Sequence, residues 1–192
     1  MFVPEGGRLV PTVSIVKDDY CYPYLVELGV SKSVGLSSKH ICAFDGTGTL
    51  LLQVIGGFWQ FNKKRTMYNS FGHPIITMRR KAHQEWIVHS GERVEGSNLL
   101  YSVKKAESFQ LKTKLEIFLS TNTNTHLCDF RVIGSYTSQS FKVYKGETVV
   151  AEVKEKSKLR RLGTGSFQAR IYPGIDYAFI VSLLVIFTEI DF

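Results

Sequence analysis

At 192 residues, 44% hydrophobic and 21% charged, the chain is long enough for one domain with a substantial core and too apolar to be disordered. Its formal charge of +7 points to a polyanionic partner, either nucleic acid or an anionic membrane surface, unless the surplus serves only solubility. Cys21, Cys42 and Cys128 are far apart and form no CxxC pair, which argues for a reducing compartment and against a disulfide framework or structural zinc.

The N-terminal stretch MFVPEGGRLVP has neither a basic leader nor an apolar core, so no secretory signal is expected. Residues 1–19, with Pro4, Gly6, Gly7 and Pro11, read as a partly ordered arm, and 20–192 as a single domain. Tyr20–Leu28, aromatic around Pro23, reads as an extended segment lying over the core. Short β-type runs separated by turn chemistry follow. His40–Phe44 turns at Asp45-Gly46-Thr47-Gly48 into Leu50–Val54, a hairpin signal. Phe58–Asn62 turns at Lys63-Lys64-Arg65 into Thr66–Tyr68, which turns at Asn69-Ser70-Phe71-Gly72 into Pro74–Met78. Gln84–His89, Leu99–Lys104, Lys114–Leu119, Asp129–Gly134, Phe141–Lys145, Thr148–Val153 and Phe167–Ile171 complete the set.

Tyr177–Phe187 then runs through eleven residues with nothing more polar than Ser182 and a tyrosine hydroxyl. A run without a wet face is neither an amphipathic surface helix nor an edge strand. It falls short of the roughly 20 apolar residues of a membrane span. Asp176 supplies an N-cap and Glu189 and Asp191 close the far end, so the spacing predicts a helix buried on all sides. About twelve strands at 8–12-residue spacing predict a barrel or sandwich, and a helix with no polar face belongs inside a closed one.

Tyr172-Pro173-Gly174-Ile175-Asp176-Tyr177-Ala178-Phe179-Ile180-Val181 and Val185–Ile190 carry a family resemblance. So do Tyr20–Tyr24, Phe44-Asp45-Gly46, Ile75–Lys81 and Val149–Val153, in the same order. Over about Tyr20–Phe192 the chain resembles the plant LURP-one-related proteins, whose fold is like the tubby C-terminal domain and phospholipid scramblases. The resemblance implies a mainly β fold, a closed antiparallel barrel around a buried hydrophobic C-terminal helix. It links some relatives to plant defence and, through tubby-like domains, to phosphoinositides. The fold itself does not settle an activity.

The basic clusters are the candidate ligand site. Lys154, Lys156, Lys158, Arg160 and Arg161 set five cations against Glu155 within eight residues, and an extended chain would put Lys154, Lys156, Lys158 and Arg160 on one face. Lys63, Lys64 and Arg65 fall at an expected turn, and Arg79, Arg80 and Lys81 follow a strand. Together they suit an anionic headgroup, a phosphoinositide or other anionic lipid. Charge that merely keeps loops solvated, around a scaffold for protein partners, is the alternative. No aromatics interleave with 154–161, which disfavours a nucleic-acid platform.

No catalytic constellation emerges. His83-Gln84-Glu85 lacks the P-C-x-x-C half of a zinc deaminase, and His126 with Cys128 has no third metal partner. Gly46-Thr47-Gly48 and Gly163-Thr164-Gly165-Ser166 match neither dinucleotide, Walker nor nucleophile-elbow patterns, and Asp45 and Glu189 belong to no calcium loop. The expectation is a non-enzymatic binding module without cofactor or metal. It is expected to be monomeric and to lack a transmembrane span. Its expected place is the cytoplasm, with the nucleus and the membrane periphery as alternatives.

Overall fold

The computed structural model describes residues 12–34, 38–57, 64–82, 85–93, 96–106, 113–124, 126–135, 138–157 and 165–189. Twelve strands follow one another: β1 (Val26–Val34), β2 (Ser38–Phe44), β3 (Leu50–Gly57), β4 (Lys64–Asn69), β5 (Pro74–Ala82) and β6 (Glu85–Ser90). Then come β7 (Leu99–Ala106), β8 (Thr113–Leu119), β9 (Phe130–Ser135), β10 (Ser140–Lys145), β11 (Thr148–Ser157) and β12 (Gly165–Ile171). Each pairs antiparallel with its neighbour in sequence, and β1 closes the circuit on β12, with Val26 opposite Ile171 and Lys32 opposite Gly165. The only α-helix among the described residues, α1 (Tyr177–Glu189), runs inside.

The period-two alternation of each strand fills the space between wall and helix. In β8, Thr113, Leu115 and Ile117 face inward, and Lys114 and Glu116 face out. In β11, Ala151 and Val153 are buried while Lys154 and Lys156 are exposed. Twelve strands about 4.8 Å apart and tilted by about 40° close a barrel roughly 24 Å across, and a helix with side chains fills about 10–12 Å of that. Aromatic rings bridge the remaining gap. Phe179 meets Tyr101 edge-on at 5.2 Å and Phe130 at 5.1 Å, and Phe187 meets Phe141 at 4.7 Å. Every α1 residue but Thr188 is buried, as expected of a helix with no polar stripe.

Ser182, the one serine of that run, is matched. Its Oγ bonds Tyr101 Oη across the core and donates to the Phe179 carbonyl. Burial pushes the Tyr101 phenol far above its ordinary range.

The helix is seated at its start by Asp176, which is fully buried. Asp176 Oδ1 accepts from Phe179 N at 3.0 Å, the expected cap. Its Oδ2 accepts from Ile15 N, Val16 N and Lys17 N at 3.2, 2.6 and 3.3 Å, so the described part of the N-terminal arm is tied to the helix entry. Val13 and Cys21 add isolated bridges to Ile175 and Asp176. Gly174, at φ 79°, lets the chain turn from β12 into the barrel while its amide bonds Tyr22 O at 2.7 Å.

Two local readings change. Tyr20–Leu28 is not one overlying segment, because Val26–Leu28 belong to β1, the strand that closes the barrel. The Lys63–Arg65 turn is displaced, since Lys64 and Arg65 already lie in β4. His126 and Cys128 sit in the connection before β9. Phe58–Asn62 and His83 lie outside the described residues.

Candidate functional site

Antiparallel alternation gives the barrel two unlike ends. The helix enters beside Asp176 and leaves at Glu189, and odd-numbered strands run with it while even-numbered strands run against it. The cations of the basic clusters therefore fall at the helix-exit end. Lys64 opens β4, Arg79, Arg80 and Lys81 finish β5, and Lys154 and Lys156 lie in the second half of β11. Lys32 of β1, Lys104 and Lys105 of β7 and Lys114 of β8 join them, opposed among the described residues by Glu85, Glu116, Glu155 and the buried Glu189. Lys114 closes on Glu116 at 2.8 Å. Carboxylates outnumber cations at the helix-entry end, where Asp18, Asp19, Glu27, Asp45, Glu92, Asp129, Glu147 and Asp176 stand against Lys17, Arg93, Arg131, Lys145 and Arg170.

Within the rim, the clusters do not meet laterally. Lys64 and Arg79 are register partners on β4 and β5, so they share the outer face. β11 lies half of the circuit away from β5 in either direction. Lys154 and Lys156 are thus across the barrel from Lys64 and Lys81, separated by the roughly 24 Å width estimated from strand number and tilt. Lys63, Lys158, Arg160 and Arg161 lie outside the described residues.

One predicted ligand residue is removed from the site. Arg65 faces inward, is 4% exposed, and its Nη2 pairs with Glu189 Oε2 at 3.2 Å at the end of the helix. Gly56 on the adjacent β3 makes room, because a Cβ there would collide with Arg65 Cδ. The basic triplet of the sequence conceals this: one position of strand alternation separates an outward Lys64 from an inward Arg65.

Arg79 is half-buried, with its Nε enclosed and without a hydrogen-bond partner. His89, diagonal to it and two residues off along the strand through the Thr77–His89 pair, is buried, and its Nδ1 also lacks a partner. Burial, and secondarily the Arg79 charge, depress the His89 pKa. His89 was not legible as a neighbour of Arg79, since its surroundings are set by pairing between strands.

The sheet wall beside Lys154 neutralises itself row by row. Lys142 Nζ bonds Glu152 Oε1 at 3.0 Å and Arg170 Nη2 bonds Glu27 Oε1 at 2.8 Å, so β10, β11, β12 and β1 carry alternating signs across one level. Lys154 and Lys156 have no ion-pair partner among the described residues.

Among the described residues no group of three or more His, Cys, Asp or Glu is placed to hold a metal ion, and no helix is long and apolar enough to cross a membrane. Burial raises all three thiols above the ordinary range, Cys21 to about 11, so none is activated as a nucleophile.

The comparisons with known proteins agree with this architecture. A crystal structure of an Arabidopsis thaliana protein superimposes with a TM-score of 0.71 at 32% identity, covering 92% of this chain and 98% of that one. Protein LURP-one-related 14 of Arabidopsis thaliana is 39% identical over 91% of this chain and 89% of its own length. Protein LURP-one-related 15 of the same plant is 36% identical over 98% and 88%. The LURP-one-related family model matches residues 26–188, from the first residue of β1 to the last turn of α1, and the chain belongs to that family.

Proposed function

We propose that this LURP-one-related chain is a non-enzymatic binding module that docks its helix-exit rim on an anionic membrane face, phosphoinositide-bearing lipid above all, in plant signalling or defence. The observation that carries this reading is the placement of Lys64, Arg79 and Lys81 across the same end of the barrel from Lys154 and Lys156. No single headgroup spans roughly 24 Å, but a plane normal to the barrel axis meets both sides at once. Each cation near an anionic leaflet contributes about 1 kcal/mol, fading within a Debye length of about 8–10 Å. The carboxylates of the other end would face away from that surface.

The test is co-sedimentation with phosphatidylserine vesicles, with and without phosphatidylinositol 4,5-bisphosphate, at low and physiological salt. Binding should weaken with salt. The pairs Lys154→Glu/Lys156→Glu and Lys64→Glu/Lys81→Glu should each lower affinity by tenfold or more, and their combination should abolish binding, at about 1 kcal/mol per charge. Absence of binding at low salt, or indifference to both pairs, would sink the reading.

A second reading is a protein-interaction scaffold, and one observation favours it. Tyr24, Phe71 and Leu127 are 58%, 83% and 68% exposed, and all three lie at the helix-entry end. Capture of a partner that is lost with Phe71→Ser and Leu127→Ser, but not with the lysine pairs, would place protein contact there.

A further inference from the structure

The outer wall of β9, β10 and β11 carries a groove of about 250 Å³. Pockets for drug-sized ligands run roughly 300–1,000 Å³, so this one suits a single six-membered ring with one substituent. Strand register lays its polar groups in two rows. In the first, Lys142 is the partner of both Ile133 and Glu152, and its ammonium is spent on Glu152 at 3.0 Å. That row is neutral overall. In the row nearer the rim, Ser140 is the partner of Ser135, and Lys154 lies one step beyond the Phe141–Val153 pair, beside Ser140. The Ser140 hydroxyl is held at 2.7 Å by that of Ser138. No carboxylate in this row opposes the Lys154 charge.

We propose that this groove binds a phosphorylated six-membered polyol, a cyclitol or sugar phosphate, with its phosphate on Lys154, Ser135 and Ser140 and its ring hydroxyls on Glu152. An ammonium without an ion-pair partner among the described residues, beside two hydroxyls, supplies donors to phosphate oxygens. An ionised carboxylate accepts only, so Glu152 repels a second anion and takes hydroxyl donors. The hydrogen bond from Lys142 holds the Glu152 carboxyl below its usual range and keeps it in that form. Ile133 and Tyr144, both half-buried on the outer face, offer the C–H face of a ring an apolar wall. The same chemistry is found in a lipid headgroup and in a soluble metabolite. The lipid source rests on the membrane-docking reading above, with which the groove shares Lys154, and the soluble source does not.

Amide-resonance titration of the full chain with myo-inositol 1-phosphate, glucose 6-phosphate and inorganic phosphate tests the groove directly. Both ring phosphates should shift β9–β11 resonances and bind at least about tenfold more tightly than inorganic phosphate. Lys154→Gln should weaken them at least about tenfold and Ser140→Ala a few-fold, by loss of charge-assisted and neutral hydrogen bonds. Lys17→Gln, at the helix-entry end and outside the basic rim, should change nothing. Inorganic phosphate binding as tightly as the rings, shifts spread around the whole rim, or an unaffected Lys154→Gln would overturn the proposal. Vesicles separate the sources. A preference for phosphatidylinositol 4-phosphate over phosphatidylserine that Lys154→Gln removes supports the groove with a lipid ligand. An intact titration with unbound vesicles supports it with a soluble ligand and fails the membrane reading. Bound vesicles with a silent titration overturn the groove and leave the membrane reading standing.

Discussion

Arg65 and Glu189 form a buried pair, and its two halves are not separable. Removing either partner leaves an uncompensated charge in the core, at a cost of about 3–5 kcal/mol, whereas replacing both with apolar residues of similar volume is often neutral or stabilising. Urea unfolding should therefore show Arg65→Met and Glu189→Leu each strongly destabilised, and the double variant close to the wild type. Gly56→Ala belongs to the same locus. It should cost about 1–3 kcal/mol, the usual range for overpacking, because the new methyl meets the Arg65 side chain. His89 makes a pH prediction. Its pKa is depressed in the fold, so its contribution is fully present above the unfolded value near 6.5 and is lost as pH falls through the lower folded value. The wild-type denaturation midpoint should drop between pH 7.5 and 5.5, and that of His89→Gln should drop less. An equal slope for both would show that His89 stays solvated.

At the scale of elements, α1 depends on Asp176 more than on its own propensity. Asp176→Ala removes the helix cap and orphans the amides of Ile15, Val16 and Lys17 together, so about 2–4 kcal/mol should be lost. Limited proteolysis should then cut within 12–20 before the barrel opens. The helix and its cap were legible because an apolar run without a wet face admits one environment, and because Asp sits directly before it. Most strands were legible too, since Leu115 and Ile117, or Val143 and Phe141, alternate visibly with charge. β1 was missed because Gly29, Ser31 and Ser33 dilute its pattern to Leu28 and Val30, and its identity comes from pairing with β12. The candidate site was half legible: which residues are cationic is plain in the chain, but not that Arg65 turns inward or that β5 and β11 stand across the barrel. Those depend on one-residue register and on the order of all twelve strands.

At the scale of the molecule, charge polarity along the barrel axis would set the orientation of the proposed docking on an anionic surface. Vesicle-bound protein should present its helix-entry end to solvent, so a spin label at Thr47 should remain accessible to aqueous relaxation agents and one at Ser102, in the outer wall of β7, should lose part of its accessibility. Equal accessibility at both would argue against end-on docking. The same polarity explains why paired charges line the wall, as with Lys142–Glu152 and Arg170–Glu27, while Lys154 and Lys156 are left to the rim.

The order of the chain has a consequence for its birth. All twelve strands leave the ribosome before the helix that fills them, and β1 waits for β12 before the sheet has no edge. At about 5–20 residues per second, the earliest strands spend many seconds with their inward faces bare. Unpaired edges and open apolar surface of that kind are what chaperones hold. Nascent chains stalled before Asp176 should therefore be chaperone-bound and protease-sensitive, and release of the final helix should end both together.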